Sequence, residues 1–236
     1  MRAKGRGFSK FLLLAVVCAA VWAAFWFGLV PQRLSPFSPL SLDKPSQWFV
    51  DARLATLRHD PPVCQAVLSA PNAVASPIAP HPYKDGCGWT NGVRLASAGG
   101  ADVGADPITC EMAVAAALWL KYDVQAVAQE IFGQRVTKVR DMGTYSCRNI
   151  IGNKIWGDLR SQHATANAWD IAGFTLADGR YISVRHDWHG KGNEARFLHE
   201  VHQRACHYFR VALSPDFNNS HRDHIHLDRG AMWRCK

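Results

Sequence analysis

The chain of 236 residues has a formal net charge of +8, and 48% of its residues are hydrophobic. This is the composition of a globular protein and excludes a wholly disordered chain. The positive charges outside the first ten residues are dispersed and form no Lys/Arg block, so we expect no nucleic-acid partner.

An apolar run near the N-terminus predicts one membrane-spanning helix. Residues 11–30 contain no charged side chain and are long enough to cross a bilayer. Four basic residues precede the run: Arg2, Lys4, Arg6 and Lys10. This bias predicts that residues 1–10 are cytoplasmic and that the rest of the chain lies outside. Because the run ends in bulky aromatic residues, a signal anchor is favoured over the alternative, a cleaved signal peptide and a secreted protein.

A linker is predicted after the apolar run. Residues 31–46 hold four prolines and four serines, a composition typical of an extended spacer. Residues 47–236 then form one domain. We expect a single-pass protein of the bacterial inner membrane with this domain in the periplasm.

The cysteines agree with an exported domain. Cys18 lies in the apolar run, and the other six are Cys64, Cys87, Cys110, Cys147, Cys206 and Cys235. An even number without close C-x-x-C pairs predicts three disulfides rather than a thiolate zinc site. We expect a local Cys64–Cys87 bridge around an ordered loop over Pro71–Pro82, and the other pairings stay open.

The pattern along this domain predicts an α+β fold with a small, mostly antiparallel sheet flanked by helices. Apolar residues at helical spacing predict a helix over Cys110–Phe132, which begins after Asp106-Pro107 and ends at Gly133. A second helix is predicted over residues 194–206. Strands are predicted over residues 136–140, 168–176, 180–185, 208–213 and 224–228.

Two clusters of polar residues predict a metal site. The first is Ser161–Asp170, in which a tight loop can fold His163 back beside Asp170. In the second, over residues 221–226, His224 and His226 alternate in a strand and share one face. Two histidines and one carboxylate leave a fourth position open on Zn²⁺, as in catalytic zinc sites. The alternative is a set of surface histidines with ordinary hydrogen bonds.

These clusters resemble a known group of enzymes. Ser161–Asp170 resembles the S-x-H-x-x-G-x-A-x-D motif of zinc D-Ala-D-Ala peptidases, with Ala166 in place of the glycine. His224-x-His226 resembles the closing H-x-H of the lysostaphin, D-Ala-D-Ala-peptidase and hedgehog-type group, and with His221 the spacing is similar to that of murein endopeptidases. Over Cys64–Cys235 the chain resembles the bacterial extensin-like C-terminal domain family.

The resemblance implies roles for individual residues. It implies that the metal ligands are His163, Asp170 and His226, within a hedgehog/D-Ala-D-Ala-peptidase-like fold. The general base is His224 or Asp223, and His224 is preferred because it shares a strand face with His226.

The resemblance also implies three supporting residues. Arg148 would face the substrate, or else be a solvated charge beside a disulfide. Ser161 would bind substrate or fix its loop, and His221, with Asp223, would orient an imidazole.

Two further segments contain histidines, and neither is predicted to belong to the metal site. His199-Glu200-Val201-His202 is one residue short of H-E-x-x-H, so a solvated helix face is expected there. The segment His186–Gly190 follows a strand near the expected cleft and is assigned no role.

We expect a zinc-dependent hydrolase of amide bonds in peptidoglycan peptides, because peptidoglycan is within reach of a short tether. The sequence does not separate an endopeptidase from a carboxypeptidase and does not predict the oligomeric state. The alternatives are a non-catalytic, zinc-containing module that binds the cell wall or organises the envelope, and a hydrolase of another amide or ester.

Overall fold

The computed structural model describes residues 4–31, 34, 38, 40–45, 47–152 and 155–236. Arg2 and residues 32, 33, 35–37, 39 and 46 of the predicted linker lie outside these residues, and so do the predictions made for them. Helix α1 (Lys4–Trp26) contains an apolar stretch of 19 residues, Phe8–Trp26, with a mean hydropathy of 2.1. This stretch is long and apolar enough to cross a membrane, either as an anchor or as a signal sequence.

Part of the predicted linker belongs to the folded domain. Leu40 and Leu42 are buried in the hydrophobic core, with 3% and 2% of their surface exposed. Lys121 and Tyr122 both donate hydrogen bonds from their side chains to the carbonyl of Leu42. The prediction of a spacer that ends at residue 46 is therefore wrong for residues 40–45, because two leucines among the prolines supply core contacts.

The domain alternates short helices with strands. Helices α2 (Val50–Leu57) and α3 (Pro61–Leu68) come first. They precede β1 (Ala73–Pro77), β2 (His81–Lys84), β3 (Cys87–Trp89), β4 (Gly92–Ala98) and β5 (Ala101–Thr109). The next elements are α4 (Cys110–Trp119), a π-helical turn (Leu120–Val124), α5 (Gln125–Phe132) and β6 (Val136–Gly143). The last elements are β7 (Ala168–Leu176), β8 (Tyr181–Ser183), α6 (Val184–Asp187), α7 (Asn193–Ala205), β9 (Val211–Leu213), β10 (Ile225–Asp228) and β11 (Arg234–Cys235).

Nine of the described strands form one mixed sheet in the order β1-β4-β5-β6-β7-β10-β9-β11, with β8 paired to β7. The pairs β5–β6 and β9–β11 are parallel, and the others are antiparallel. The α+β class is confirmed, but the expectation of a small sheet is wrong. Strands β4 and β5 were not predicted, although the buried Ala101, Val103 and Ala105 alternate with exposed residues along β5.

The central helical segment begins and ends where the sequence predicts, at Cys110 and Phe132. Asp106-Pro107 does not start it, because both residues lie in β5. Instead, Thr109 caps the helix by accepting a hydrogen bond from the backbone N–H of Met112 at 3.4 Å. Gly133 ends it in a left-handed conformation with φ 65°.

This helical segment packs in the core. Every residue of α4 is buried, and the ring of Trp119 makes edge contacts with Phe174 of β7 and with Phe209. The indole N–H of Trp119 donates to the carbonyl of Val201 at 3.0 Å. These contacts hold β7 against the helices, so its opposite end presents a fixed set of polar side chains.

Several predicted boundaries differ from those observed. The stretch 71–82 contains β1 and the start of β2 and is not a loop. The strands predicted over 180–185 and 208–213 are shorter, because α6 begins at Val184 and β9 begins at Val211. Strand β7 has the predicted bounds.

Three disulfides join the six cysteines as Cys64–Cys110, Cys87–Cys147 and Cys206–Cys235. The predicted Cys64–Cys87 bridge is wrong. Cys64 lies on α3, which packs against α4 and so brings Cys110 next to it. Cys87 lies on the β2–β3 hairpin and holds the segment that leads to Arg148.

Candidate metal centre

His163 lies in a short 3-10 helix, Gln162–Thr165, immediately before β7. The hydroxyl of Ser161 caps this helix by accepting a hydrogen bond from the backbone N–H of His163 at 3.3 Å. Ala166 then adopts a left-handed conformation with φ 52°, which turns the chain into β7. The turn places Nε2 of His163 3.1 Å from Oδ2 of Asp170.

His226 lies directly opposite Asp170 across the antiparallel pair β7–β10. Its Nδ1 atom is 2.9 Å from Oδ1 of Asp170 and 3.2 Å from Nε2 of His163. One donor atom from each of these three residues lies within 4.8 Å of the others. Two imidazoles and one carboxylate are a donor set that suits Zn²⁺ with one position left for water or substrate.

The second ring nitrogen of each histidine is bound to an acceptor. Nδ1 of His163 lies 3.1 Å from the carbonyl oxygen of Thr144, which can only accept. Nε2 of His226 lies 3.0 Å from Oδ2 of Asp228. In the neutral form of each ring, these contacts place the single N–H group away from Asp170 and leave Nε2 of His163 and Nδ1 of His226 as the nitrogens that can bind a cation, either a metal ion or a second proton.

Asp228 is not among the site residues predicted from the sequence. Because side chains two residues apart in a strand share a face, its position after His226 on β10 was a usable signal. Its other oxygen accepts a hydrogen bond from the backbone N–H of Gly230 at 2.8 Å, which fixes the orientation of the carboxylate.

The electrostatics of the three residues are strongly coupled. Burial favours the neutral form of Asp170, but hydrogen bonds from His163 and His226 outweigh this and lower the pKa of its carboxyl. Burial also lowers the pKa of His226, but Asp170 and Asp228 outweigh it and raise this pKa to about 9. The site therefore has two carboxylates arranged around one imidazole and attracts a positive charge, whether a proton or a metal ion.

The centre lies at the base of a cavity of about 660 Å³. The apolar part of its wall includes Ile151, Trp156, Phe217, Met232 and Trp233. His163 and His226 are buried, but His226 lines the cavity together with Asp170, whereas His163 is not among the lining residues. A ligand in the cavity therefore meets Asp170 and His226 first.

His224 precedes β10 and lies in the same cavity. Its Nε2 atom is 3.6 Å from Oδ1 of Asp170, and its Nδ1 atom is 3.0 Å from Oδ1 of Asp223. The predicted strand over residues 224–228 begins only at Ile225, so neither Asp223 nor His224 belongs to it. The hydrogen bond to Asp223 instead orients His224 toward the centre.

His221 lies beside this pair, with its ring centroid 5.2 Å from that of His224. Its Nδ1 atom is 2.7 Å from Oδ1 of Asn218. Burial and the positive charges of His226 and His224 lower the pKa of His221 to about 4. The ring is therefore neutral at neutral pH and contacts the other histidines without adding charge.

Arg148 and Ser161 lie in the cavity wall. The backbone N–H of Ser161 donates to the carbonyl of Arg148 at 3.1 Å, which ties Arg148 to the loop of His163. The side chain of Ser161 binds its own loop, as one of its two predicted roles requires.

The remaining histidines lie elsewhere. On α7, His199 binds the carbonyl of Trp188 at 2.9 Å and His202 binds that of Ala212 at 3.2 Å, so the two rings point to separate partners. The expectation of a solvated helix face is wrong for His202, which is buried. The segment 186–190 does not line the cavity.

The comparisons with known proteins support one family. Residues 62–236, well over half of the chain, match the family described as Extensin-like protein C-terminus. Searches of the curated proteins and of the solved structures found no match. The matched region contains all the residues of the candidate metal centre, and the chain belongs to the extensin-like C-terminal domain family.

Proposed function

We propose that this protein is a zinc-dependent hydrolase that cleaves amide bonds in peptidoglycan peptides. The observation that carries the proposal is the convergence of His163, Asp170 and His226 at the base of an open cavity. Their donor set matches catalytic zinc, and the resemblance of their motifs to zinc D-Ala-D-Ala peptidases supports the same chemistry.

The residues around the centre fit distinct steps of hydrolysis. A bound zinc ion would lower the pKa of a water molecule to about 7 and polarise the substrate carbonyl. His224 accepts the proton of the attacking water at Nε2 and delivers it to the leaving amine. The Asp223 carboxylate stabilises the protonated ring that forms in between, since it lies 3.0 Å from Nδ1.

Arg148 supplies positive charge to the substrate side of the cavity. Its guanidinium binds a peptide carboxylate or stabilises the developing oxyanion. The only hydrogen bond of this guanidinium to a described residue is a long one, 3.4 Å, to the carbonyl of Asn149. Among its bonds to the described residues, the guanidinium therefore loses only this weak hydrogen bond when it binds a substrate.

The N-terminal helix supports the choice of substrate. We propose that α1 anchors the domain at the outer face of the inner membrane of a bacterium. Only 13 residues separate Trp26, the last residue of α1, from Leu40 in the core of the domain. Such a tether reaches at most about 45 Å, which keeps the domain near the membrane and near the wall polymer beside it.

The test is release of soluble products from purified peptidoglycan by the full-length protein in detergent with zinc. We expect new peptide ends in the wild-type digest, at least about 100-fold less product from His163→Ala, and normal release from His199→Ala, a histidine outside the cavity. Zinc-loaded wild-type protein that releases nothing would reject hydrolysis and favour a wall-binding module.

A further inference from the structure

Among the described residues that line the cavity, no carboxylate pairs with an arginine. Three arginines line it: Arg148, Arg160 and Arg234. The carboxylates among its described lining residues are Asp170 and Asp228, and both are bound to His226. An anionic ligand is therefore attracted to the part of the cavity away from the metal centre.

Arg234 belongs to a segment that we call the strap, residues 230–236. It forms one wall of the cavity through Gly230, Ala231, Met232, Trp233 and Arg234. The strap is held by parallel pairing of β11 with β9 and by the Cys206–Cys235 disulfide. Its side chains are therefore presented from a fixed backbone, which lowers the entropic cost of binding a ligand.

Two contacts position the side chains of the strap. The guanidinium of Arg210 lies 5.3 Å from the ring centroid of Trp233, and Asp51 binds Arg210 through both carboxylate oxygens. The guanidinium of Arg234 lies 5.4 Å from the ring centroid of Phe217. None of the described residues accepts a hydrogen bond from the Arg234 guanidinium, so its N–H groups are available to a ligand.

We propose that Trp233 and Arg234 form a subsite for an acidic residue of the substrate peptide. Arg234 binds the free carboxylate through two parallel N–H groups, and Trp233 covers the adjoining methylene groups. The inference deepens the proposed function, on which it rests, because it specifies a substrate with a carboxylate on the strap side of the cleaved bond. Arg148 and Arg160 lie on another segment and are not needed for this contact.

The test measures binding of a peptidoglycan disaccharide-tetrapeptide to the full-length protein in detergent, after a chelator has removed metal to prevent turnover. Two forms of the probe are compared by calorimetry, one with free carboxylates and one with its carboxylates amidated. We expect Arg234→Gln to weaken binding of the free acid about tenfold and to leave binding of the amidated form unchanged. Arg234→Lys keeps the positive charge and binds the free acid with an affinity between those of the wild type and Arg234→Gln. Arg185→Gln, at an exposed arginine outside the cavity, has no effect on binding.

The inference is overturned if Arg234→Gln binds the free acid as tightly as the wild type does, if it weakens both forms equally, or if the wild type binds neither. Release of products from peptidoglycan by zinc-loaded protein is scored separately. If Arg234→Gln weakens binding of the free acid but the zinc-loaded wild type cleaves nothing, the subsite is supported and the hydrolase is rejected. If the wild type cleaves peptidoglycan but Arg234→Gln leaves binding of the free acid unchanged, the hydrolase is supported and the subsite is rejected.

Discussion

Nε2 of His226 donates a hydrogen bond to Oδ2 of Asp228 at 3.0 Å, while Nδ1 of the same ring faces Asp170 at 2.9 Å. This carboxylate–imidazole pair is the arrangement that orients histidine ligands in many metal sites and makes them more basic. In this chain both residues lie on one four-residue strand, β10. The strand therefore supplies a candidate ligand and the group that orients it.

Substitution of Asp228 tests this relationship. We expect Asp228→Asn to weaken zinc binding by about 10- to 100-fold, because a neutral amide no longer raises the basicity of His226. Zinc affinity is measured by competition with a chromogenic chelator. The matched control is Asp216→Asn, whose carboxylate accepts an indole N–H from Trp188 outside the cavity. Equal affinities for the wild type and Asp228→Asn would show that Asp228 has no part in metal binding.

Ala166 gives a prediction about backbone strain. It occupies the left-handed region with φ 52°, at the position where the D-Ala-D-Ala peptidase motif has glycine. A side chain there costs about 1–2 kcal/mol, and the greater freedom of glycine in the unfolded chain offsets part of this. We expect Ala166→Gly to raise the free energy of unfolding by about 0.5 kcal/mol in denaturant titrations. Ala164→Gly, two residues earlier in the 3-10 helix, should lower it instead, and the same sign at both positions would contradict the argument.

A buried ion network links α4 to Arg229, the residue that precedes the strap. Glu111, 1% exposed, accepts hydrogen bonds from Arg229 at 2.6 Å and from Arg58 at 2.7 Å. We expect Glu111→Gln to lower the free energy of unfolding by about 2–3 kcal/mol, because the buried Arg229 loses one of its two carboxylate partners and keeps Asp51. The comparison is Glu130→Gln, whose exposed pair with Arg196 should contribute almost nothing. Similar losses in the two variants, measured by denaturant titration, would show that burial of Glu111 is unimportant.

His202 predicts a pH dependence of stability. Burial lowers the pKa of its ring in the folded state below the ordinary 6.5, and the charge of His199 lowers this pKa further. The hydrogen bond to Ala212 and the charge of Asp216 raise the pKa but do not outweigh burial. As the pH falls through 6.5, the unfolded chain binds a proton at His202 that the folded chain resists, so stability falls.

We therefore expect His202→Gln to reduce the loss of stability between about pH 6.5 and 5, measured by denaturant titration at each pH. The pKa of His221 is also lowered, so His221 adds to the loss of stability at low pH in the wild type and in each variant. The exposed His207→Gln serves as the control substitution. A His202→Gln slope equal to that of the wild type would refute the prediction.

Much of the candidate site follows from local rules. A loop of small residues before a strand is enough to place His163 near Asp170, and alternation along β10 places His226 and Asp228 on one face. The relation of Asp223 to His224 could not be obtained in this way, because it depends on the exact residue at which β10 begins. Side chains alternate between faces only within a strand, so this rule does not place residues that precede its first residue, Ile225.

The sequence by itself determined the apolar N-terminal helix, the α+β class, the long helical segment from Cys110 to Phe132 and the residue types of the candidate metal centre. These depend on hydrophobic periodicity and on spacing within short segments. Only the tertiary structure decided the cysteine pairing, the burial of Leu40 and Leu42, and the approach of the strap to the cavity. Each of these joins segments that are distant along the chain, and such contacts arise from the packing of the whole core, which no local pattern encodes.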